Sequence, residues 1–243
     1  MFCKIKKIIK KNDLVFSNVQ KVRFFLNKTI NPKYLYFLKN SKFPVSNYYG
    51  LDRGVPVDRY YIEKFLEENK DLIKGNCLEL LDDSYIKKFG GEKVLKCDIL
   101  DIDRNNKKAN IYGDLRNLQE ISDNQYDCII LTQVLQFIDD LSSGIKECYR
   151  ILKPGGVILA TVPSLSRIDC ISGSDGDYWR FTSAGAKYLF KNNFSEDNLL
   201  VNSYGNVLSA VNFLMGFSVE ETGKKINFND KNFPCVITIR AKK

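Results

Sequence analysis

Three acidic residues, Glu79, Asp98 and Asp114, have the positions that best suit chemistry in this chain of 243 residues. Each stands at the end of a short apolar run that is predicted to be a buried strand, with the runs at 76–80, 94–97 and 109–112. Glu79 and Asp98 are 19 positions apart, close to the spacing at which a nucleoside-binding α/β fold places a carboxylate on a ribose. The spacing therefore predicts a nucleoside site in which a carboxylate accepts hydrogen bonds from neighbouring hydroxyls.

The stretch Tyr126–Pro163 predicts the sheet that must position these acids. Cys128–Leu131 is a continuous apolar run, typical of a strand buried on both faces, and Val157–Val162 is another. Between them lies an amphipathic helix, which ends at Lys153–Gly156 with its proline and two glycines. Two strands joined in this way are parallel with a right-handed crossover. The sequence therefore predicts an open α/β sheet with ligands at the carboxyl ends of its strands, near Gln133.

The charge of the chain is concentrated at its N-terminus. The formal net charge is +8, yet residues 1–42 hold 11 lysines and arginines against one acid, which leaves the rest of the chain close to neutral. The sequence therefore predicts a basic helical extension over residues 1–48 and one large domain over residues 49–243. A basic amphipathic segment contacts an anionic membrane or an acidic partner, or it is simply solvated, and no nucleic-acid-binding module accompanies this one.

Histidine and cysteine usage narrows the chemistry. The chain has no histidine, which removes the commonest catalytic base and the commonest zinc ligand. Its seven cysteines are scattered and form no metal-binding or disulfide pattern. We therefore expect no metal and a reducing, cytoplasmic location. No apolar run approaches the length of a transmembrane helix.

The strings YDCIILTQVLQFI and ILKPGGVILATVP, together with the acids at three strand ends, resemble a class I S-adenosylmethionine-dependent methyltransferase. The resemblance implies a Rossmann-like fold of seven mostly parallel strands with a reversed last strand and helices on both faces. It also implies S-adenosylmethionine as the cofactor. In that family the acids matching Asp98 and Asp114 bind the ribose and the adenine, with Leu115 beside the ring. Glu79 matches the acid of the first strand, and Gln133 lies where the fourth strand opens onto cofactor and acceptor.

The turn after the first strand departs from the family pattern. The family follows its first acid with a glycine-rich turn, which lets the backbone approach the methionine moiety of the cofactor. Here Leu81, Asp83 and Tyr85 fill the three glycine positions, and their side chains are expected to crowd such a contact. Either the turn, with Leu81 and Asp82 at the cofactor, is built differently, or the site binds cofactor weakly or not at all.

A narrower resemblance concerns the acceptor. The strings YGLDRGVPVDRYYIEKFL, LELLDDSYIKKFGG and GDYWRFT are similar to a bacterial methyltransferase subgroup often found beside or fused to glycosyltransferases of surface-polysaccharide assembly. Members of that subgroup also tend to carry paired aspartates in a degenerate glycine turn. The resemblance implies O-methylation of a saccharide or a saccharide-linked intermediate.

The loop after the fifth strand is where acceptors enter in this family. Because the chain lacks histidine, a base for a hydroxyl proton is expected to be a carboxylate or a tyrosinate, which makes Asp177 and Tyr178 the catalytic candidates. Trp179 offers an apolar platform for a sugar ring, and Arg180 can hold an anionic group. The alternative that stays open is that Asp177 simply pairs with Arg180. A further candidate wall of the pocket consists of Arg53, Asp58 and Arg59.

Two other functions stay open at this point. A methyltransferase fold kept only as a binding module would explain the missing glycines, because a fold does not fix a function. A metal-dependent glycosyltransferase would explain Asp101-Ile102-Asp103, which is a DxD string, although so short a motif also occurs by chance.

Overall fold

The computed structural model describes residues 41–169 and 173–243. The chain divides into two compact units, Met1–Pro44 and Val45–Lys243, and the fold given below is that of the second unit. The helices predicted for the N-terminal extension lie outside the described residues, and the predicted domain boundary at residue 48 stays a prediction. Within the described ranges, no helix combines the length and the apolar character that a membrane span requires.

The second unit alternates strands and helices along the chain. Its strands, labelled β1 to β7 in chain order, are Gly75–Leu80, Val94–Asp101, Ile111–Tyr112, Tyr126–Thr132, Leu152–Pro163, Leu199–Tyr204 and Val236–Lys242. Its α-helices, labelled α1 to α6, are Val57–Glu68, Leu141–Ile151, Gly173–Gly176, Ser183–Phe190, Val207–Met215 and Val219–Thr222. Short turns of 3-10 or π helix occur between these elements.

The strands form one sheet in the order β3-β2-β1-β4-β5-β7-β6. Neighbouring strands are parallel from β3 through β5, and β7 runs antiparallel to both β5 and β6. The predicted α/β sheet, mostly parallel with a reversed last strand, is thereby confirmed. The register pairs Leu80 of β1 with Leu100 of β2, and Thr132 of β4 with Thr161 of β5. The carboxyl ends of these strands therefore lie along one edge of the sheet.

Both faces of the sheet are covered. On one face, Ile129 and Ile158 belong to a buried cluster that includes Ile145 of α2. On the other face, Ile130 and Leu159 belong to a cluster that includes Phe65 and Phe213. Successive residues of one strand contribute to opposite clusters because strand side chains alternate between the two faces. This explains why the central strands are continuous apolar runs in the sequence.

The helix boundaries follow local signals. The Asp140 side chain caps α2 by accepting a hydrogen bond from the N–H of Ser143, and Thr182 caps α4 by accepting from Gly185. Gly216, with φ of +74°, ends α5 in the left-handed conformation that glycine adopts without strain. These caps fix where α2 and α4 begin and where α5 ends.

Candidate active site

A cavity of about 540 Å³, called here the main cavity, opens at the carboxyl edge of the sheet. The ends of β1, β2 and β4 and the loops that follow them supply most of its walls, which are formed by Leu80, Leu81, Leu100, Asp101, Ile102, Gly113, Asp114, Leu115, Arg116, Gln133, Val134, Phe137, Ile138, Asp139, Asp169 and Tyr178. Most of this wall is apolar. A cavity of this size at the carboxyl ends of the strands is where an open α/β sheet binds its ligand.

Another cavity, of about 490 Å³, is lined by Gly156 in the first half of β5 and by Lys242 at the end of β7. Because β5 and β7 are antiparallel, both positions belong to the opposite edge of the sheet. None of the predicted site residues lines this cavity. The main cavity is therefore the candidate for the active site.

The second strand is longer than the sequence predicts, which moves Asp98 away from the main cavity. β2 continues to Asp101, so the prediction that it ends at Asp98 is wrong. Asp98 is only 1% exposed, and it accepts hydrogen bonds from Lys96 Nζ at 2.7 Å, Asn110 Nδ2 at 2.7 Å and Tyr126 Oη at 3.0 Å. Burial acts to raise the pKa of Asp98, but these hydrogen bonds outweigh it and leave the pKa lowered. Asp98 is thus a satisfied interior carboxylate.

Asp101 occupies the strand-end position that the sequence analysis gave to Asp98. It lines the main cavity, and its carboxylate accepts hydrogen bonds from Asp103 N at 2.9 Å and from Asn106 Nδ2 at 2.7 Å. Asn106 Nδ2 also donates to the carbonyl of Leu81 at 2.7 Å, which ties the loop after β2 to the turn after β1. Each carboxylate oxygen can accept a further hydrogen bond from a ligand.

The turn after β1 keeps the backbone conformation of a glycine without containing one. Leu81 has φ of +72°, in the left-handed region that costs a residue with a side chain about 1 kcal/mol. Its N–H donates to the carbonyl of Leu100 at 3.0 Å, which anchors the turn to β2. The exposed Leu81 side chain lines the main cavity. Leu81 thus has a backbone conformation that glycine adopts without strain, and its side chain lies in the wall of the main cavity.

Glu79 and Asp82 organise this turn, and neither of them lines the main cavity. The buried Glu79 carboxylate accepts hydrogen bonds from Tyr85 N at 3.2 Å and from Ile86 N at 2.8 Å. Burial raises the pKa of Glu79 to about 7, against the opposing effect of these two amides. Asp82 accepts hydrogen bonds from the N–H and the hydroxyl of Ser84, at 3.1 and 2.7 Å.

Asp114 and Leu115 both line the main cavity, directly after β3. Arg116 Nε lies 3.0 Å from each carboxylate oxygen of Asp114, and Arg116 Nη1 donates to Asp139 at 2.6 Å. The Arg116 guanidinium holds the pKa of the Asp114 carboxyl below its usual range. Asp114 therefore stays ionised and can accept a hydrogen bond at the cavity wall.

A second, smaller cavity of about 180 Å³, called here the small chamber, adjoins the main cavity. Its walls are formed by Tyr49, Asp58, Gln133, Gln136, Phe137, Ser166, Arg167, Asp169, Asp177 and Phe213. Three of these residues, Gln133, Phe137 and Asp169, also line the main cavity. The N–H of Gln133 donates to the carbonyl of Thr161 at 2.9 Å, which fixes Gln133 to the end of β5. Ligands in the two cavities would therefore meet at Gln133.

The loop between β5 and α4 contributes to both cavities. Asp177 lines the small chamber, but its carboxylate accepts hydrogen bonds from Arg180 Nη1 at 2.5 Å and Nη2 at 2.8 Å. The pairing of Asp177 with Arg180, which the sequence left open, is thus present, and it lowers the pKa of Asp177. Tyr178 lines the main cavity. Trp179 lines neither cavity, and its Nε1 donates to the carbonyl of Ile138 at 2.8 Å.

The candidate wall formed by Arg53, Asp58 and Arg59 is only partly present. Asp58 lines the small chamber from the first turn of α1. Arg59 is exposed and lines neither cavity, and Arg53 forms an exposed ion pair with Glu221. Asp58 is therefore the member of this group that a ligand in the small chamber would contact.

Sequence reasoning missed Gln136 as a site residue. It is 6% exposed and lines the small chamber, and its Nε2 donates to the carbonyl of Gln133 at 2.9 Å. A single glutamine inside an apolar string carries no sequence signal for ligand binding. Only the fold shows that it faces a chamber.

Backbone strain is concentrated around the two cavities. Four non-glycine residues in the described chain have a positive φ, and three of them line a cavity: Tyr49 at +57°, Leu81 at +72° and Gln133 at +55°. The fourth, Asn124, precedes β4 at the opposite edge of the sheet. Strained residues that persist in a fold tend to cluster at functional sites. The clustering supports the assignment of this edge as the site.

The DxD string forms a turn. The carboxylate of Asp101 accepts from the N–H of Asp103, and the carboxylate of Asp103 accepts from Asn105 N at 2.8 Å. Among the residues that the structure describes, no group of three or more histidine, cysteine, aspartate or glutamate side chains is positioned to hold a metal ion. The geometry of Asp101 and Asp103 thus matches loop formation.

Comparisons with known proteins give one domain match and partial matches to curated proteins. Residues 82–160 match a family model described as a methyltransferase domain. A stretch of 70 residues is 34% identical to probable polyketide synthase 5 of Dictyostelium discoideum, and it covers 28% of this chain and 3% of the synthase. The chain thus spans only a small part of this curated relative.

Two solved structures share the fold at low sequence identity. A SAM-dependent methyltransferase from Archaeoglobus fulgidus superposes with a TM-score of 0.52 and 15% identity, covering 76% of this chain and 94% of that one. A SAM-dependent methyltransferase from Thermotoga maritima, described as a possible histamine N-methyltransferase, gives a TM-score of 0.50 and 15% identity, covering 77% of this chain and 91% of that one. The fold is therefore that of the class I methyltransferases.

The matched domain and the fold support an enzyme and imply S-adenosylmethionine as its cofactor. The residues of the main cavity fit this molecule. Its volume of about 540 Å³ is that of a cofactor-sized site, and its apolar walls suit a purine ring. Asp101 and Asp114 supply carboxylates for hydroxyl and amino donors at two strand ends.

Proposed function

We propose that this chain is an S-adenosylmethionine-dependent methyltransferase that O-methylates a saccharide or a saccharide-linked intermediate. The observation that carries the proposal is the pair of adjoining cavities at the carboxyl edge of the sheet, which share Gln133, Phe137 and Asp169. One cavity has the size and lining for a nucleoside cofactor, and the other has room for a small acceptor. Holding two reactants in contact is the main contribution that an enzyme makes to such a transfer.

In this proposal the cofactor lies in the main cavity and supplies an electrophilic methyl group when bound. Asp101, in place of Asp98, accepts hydrogen bonds from the ribose hydroxyls, while Asp114 and Leu115 hold the adenine. Leu81 and Gln133, on the turns after β1 and β4, contact the methionine end. The glycan-related acceptor is supported by the subgroup resemblance and by the hydrogen-bond acceptors and aromatic rings of the small chamber.

Calorimetric titration with S-adenosylmethionine and S-adenosylhomocysteine tests the cofactor assignment. We expect the wild type to bind both, and Asp101→Asn to bind at least about tenfold more weakly, because hydrogen bonds to a charged group contribute about 1.5–3 kcal/mol. Asp103→Asn is the matched control, since Asp103 lies in the same loop but does not line the cavity, and it should bind like the wild type. Absence of binding to the wild type at millimolar ligand would exclude this function in its simple form.

A binding module without methyl transfer is the second candidate, and the Leu81 side chain in the wall of the main cavity is the observation that favours it. A side chain at this point narrows the space next to the turn, where the family has a glycine. If neither cofactor form binds, the fold is better regarded as a scaffold for a protein or glycan partner.

We also propose, from the charge of residues 1–42, a peripheral contact with an anionic membrane surface. A cytoplasmic enzyme of surface-polysaccharide assembly would meet its acceptor there. This part of the proposal rests on the charge distribution and the subgroup resemblance alone.

A further inference from the structure

The small chamber contains a buried acceptor atom that the protein leaves unused. Gln136 Oε1 makes no hydrogen bond to any atom of the described chain, although the residue is only 6% exposed. Its Nε2 is satisfied by the carbonyl of Gln133, at 2.9 Å, which fixes the orientation of the amide. A buried polar atom without a partner is costly, and nearly all such atoms in native proteins are satisfied. A ligand that donates a hydrogen bond would satisfy this one.

The backbone around Gln136 holds this side chain in place. The carbonyl of Gln136 accepts hydrogen bonds from Tyr178 N at 2.9 Å and from Trp179 N at 3.3 Å, both in the loop that follows β5. The amide side chain is thus fixed between the turn after β4 and that loop. Little rearrangement is needed before it can accept a hydrogen bond from a ligand, which favours binding.

Asp58 is a carboxylate of the small chamber that is suited to take a proton. Asp177 also lines the chamber, but Arg180 pairs with it and lowers its pKa, which makes it a weak base. Backbone amides of Asp58 and Arg59 act to lower the pKa of Asp58, but burial outweighs them and raises it above the ordinary aspartate range. A base with a raised pKa is better suited to remove a hydroxyl proton near neutral pH.

The charges around the chamber indicate a neutral ligand. The charged groups near Asp58 and the chamber are Arg59, Arg167, Asp169 and Asp177. Tyr85 and Cys235 also lie near Asp58, but burial raises the pKa of each, so both are uncharged near neutral pH. The Arg167 guanidinium lies 4.1 Å from the centre of the Tyr49 ring, so a positive charge already occupies that aromatic face. With Arg59 and Arg167 set against three carboxylates, of which Asp177 is already paired with Arg180, neither an ammonium nor an anionic ligand meets a clear excess of opposite charge.

We propose that the small chamber is the acceptor site and binds an uncharged ring that carries hydroxyl groups, with Gln136 Oε1 and Asp58 as its two hydrogen-bond acceptors. This inference rests on the proposed function and adds the ligand class and the base. One hydroxyl donates to Gln136, and the reacting hydroxyl donates to Asp58. As the acceptor oxygen forms its bond to the methyl carbon of a sulfonium donor, its proton passes to the Asp58 carboxylate and the electrons of the breaking carbon–sulfur bond stay on sulfur. The volume of about 180 Å³ admits one ring.

Saturation-transfer NMR with simple glycosides tests the binding part. The probes are the methyl α-glycosides of glucose, galactose and mannose, with glucose 6-phosphate and glucosamine as charged counterparts, each with and without S-adenosylhomocysteine. We expect a neutral glycoside to bind, and Gln136→Met to weaken it about five- to tenfold, the usual effect of losing one neutral hydrogen bond. Gln125→Met is the matched control, because Gln125 lines neither cavity. S-adenosylhomocysteine affinity checks that both variants are folded.

The rate of methyl transfer to the glycoside that binds best tests the base. We expect Asp58→Asn to lower kcat at least about 100-fold, the ordinary contribution of a general base, with little change in KM. The wild-type rate should rise with pH as Asp58 loses its proton. The rate of the variant should not show this rise. Asp71→Asn, an exposed change outside both cavities, should behave like the wild type.

The outcomes separate this inference from the proposed function. If S-adenosylhomocysteine binds and no neutral glycoside does, or if only the charged sugars bind, the inference is overturned while the methyltransferase proposal stands. If S-adenosylhomocysteine does not bind, the proposed function fails, and glycoside binding without it still decides the ligand class of the chamber. An unchanged rate in Asp58→Asn would remove the assigned base.

Discussion

At Leu81 the energetic cost of having a leucine, and no glycine, in the turn after β1 can be measured directly. Its φ of +72° strains a leucine, and its side chain is 59% exposed, so little burial is lost when it is replaced. We expect Leu81→Asn to be more stable than the wild type by about 0.5–1 kcal/mol, because asparagine tolerates the left-handed conformation. Leu81→Val should be less stable by about 1 kcal/mol, since β-branched residues are the poorest in this region.

Urea denaturation of the Leu81 variants gives the ranking. The informative result is the order of the midpoints, asparagine above leucine above valine, with equal slopes. Equal midpoints for asparagine and valine would mean that the turn relaxes out of the left-handed conformation in solution. Cofactor titrations on the same variants show whether the leucine side chain also restricts the main cavity.

Glu79 links the same turn to pH. Its pKa rises from 4.5 to about 7 in the folded state, chiefly through burial, with Asp82 and Asp83 adding to the rise. The folded protein therefore holds this proton more tightly than the unfolded chain does. The resulting stabilisation is complete below about pH 4.5 and is lost as the pH rises through about 7, an effect of about 3 kcal/mol.

Glu79→Gln tests this linkage because glutamine is isosteric and does not ionise. We expect the stability of the variant relative to the wild type to increase by about 2–3 kcal/mol between pH 5 and pH 8, because only the wild type loses stabilisation over this range. One of the two amide hydrogen bonds in the turn loses its acceptor, which costs about 1 kcal/mol at every pH. A difference between the two proteins that does not change with pH would show that Glu79 titrates normally.

At the scale of elements, the loop between β5 and α4 is held by one arginine. Arg180 binds the Asp177 carboxylate, and its Nη2 also donates to the carbonyl of Arg167 at 2.8 Å. Asp177 is 8% exposed, so loss of Arg180 leaves a buried, unpaired charge. We expect Arg180→Ala to cost about 2–4 kcal/mol, and the double variant Asp177→Ala with Arg180→Ala to cost less than the sum of the two single changes.

A double-mutant cycle by urea denaturation measures this coupling. A coupling energy of about 1–3 kcal/mol would show that the pair is a structural connection of the loop. A coupling near zero would leave Asp177 available for the role as base that the sequence suggested. The same variants examined by limited proteolysis show whether the loss is confined to the loop.

β4, β5 and α2 were predictable because each carries a local signal. β4 and β5 are continuous apolar runs, and α2 has Asp140 at its start. The end of β2 was not predictable in the same way. An aspartate after an apolar run normally indicates a strand end, because charged residues are seldom buried. Here Asp98 is buried inside the strand because Tyr126, 28 positions away in sequence, donates a hydrogen bond to it.

The residues of the candidate site differ in the same way: some carry a local sequence signal and others depend on contacts between distant segments. Asp114, Leu115 and Gln133 follow strand ends, so the sequence could place them at the carboxyl edge, and the structure has them there. Asp177 and Arg180 are three residues apart in one loop, so the sequence could suggest their pairing. The place of Gln136 depends on how the loops after β4 and β5 meet. No local pattern encodes that meeting, since the contacts join segments about 40 residues apart in the chain.

For the whole molecule, the charge distribution predicts an interaction that the α/β unit alone would lack. Residues 1–42 hold 11 basic residues and one acid, while the remainder holds 26 basic and 28 acidic residues. Lysine or arginine near an anionic bilayer contributes about 1 kcal/mol each, and the attraction is screened by salt. We expect the full chain to sediment with phosphatidylserine-containing vesicles at low ionic strength, and the chain from Val45 onward to remain in the supernatant.

Varying the salt concentration and the lipid composition tests whether charge causes the vesicle binding. Binding of the full chain should fall steeply as ionic strength rises and should be absent with vesicles of phosphatidylcholine alone, because the surface potential then disappears. Binding that persists at high salt would mean that apolar side chains insert into the bilayer, and the membrane contact would then depend on amphipathic burial. Equal binding by the chain from Val45 onward would assign the contact to the α/β unit, whose nearly neutral charge gives no reason to expect it.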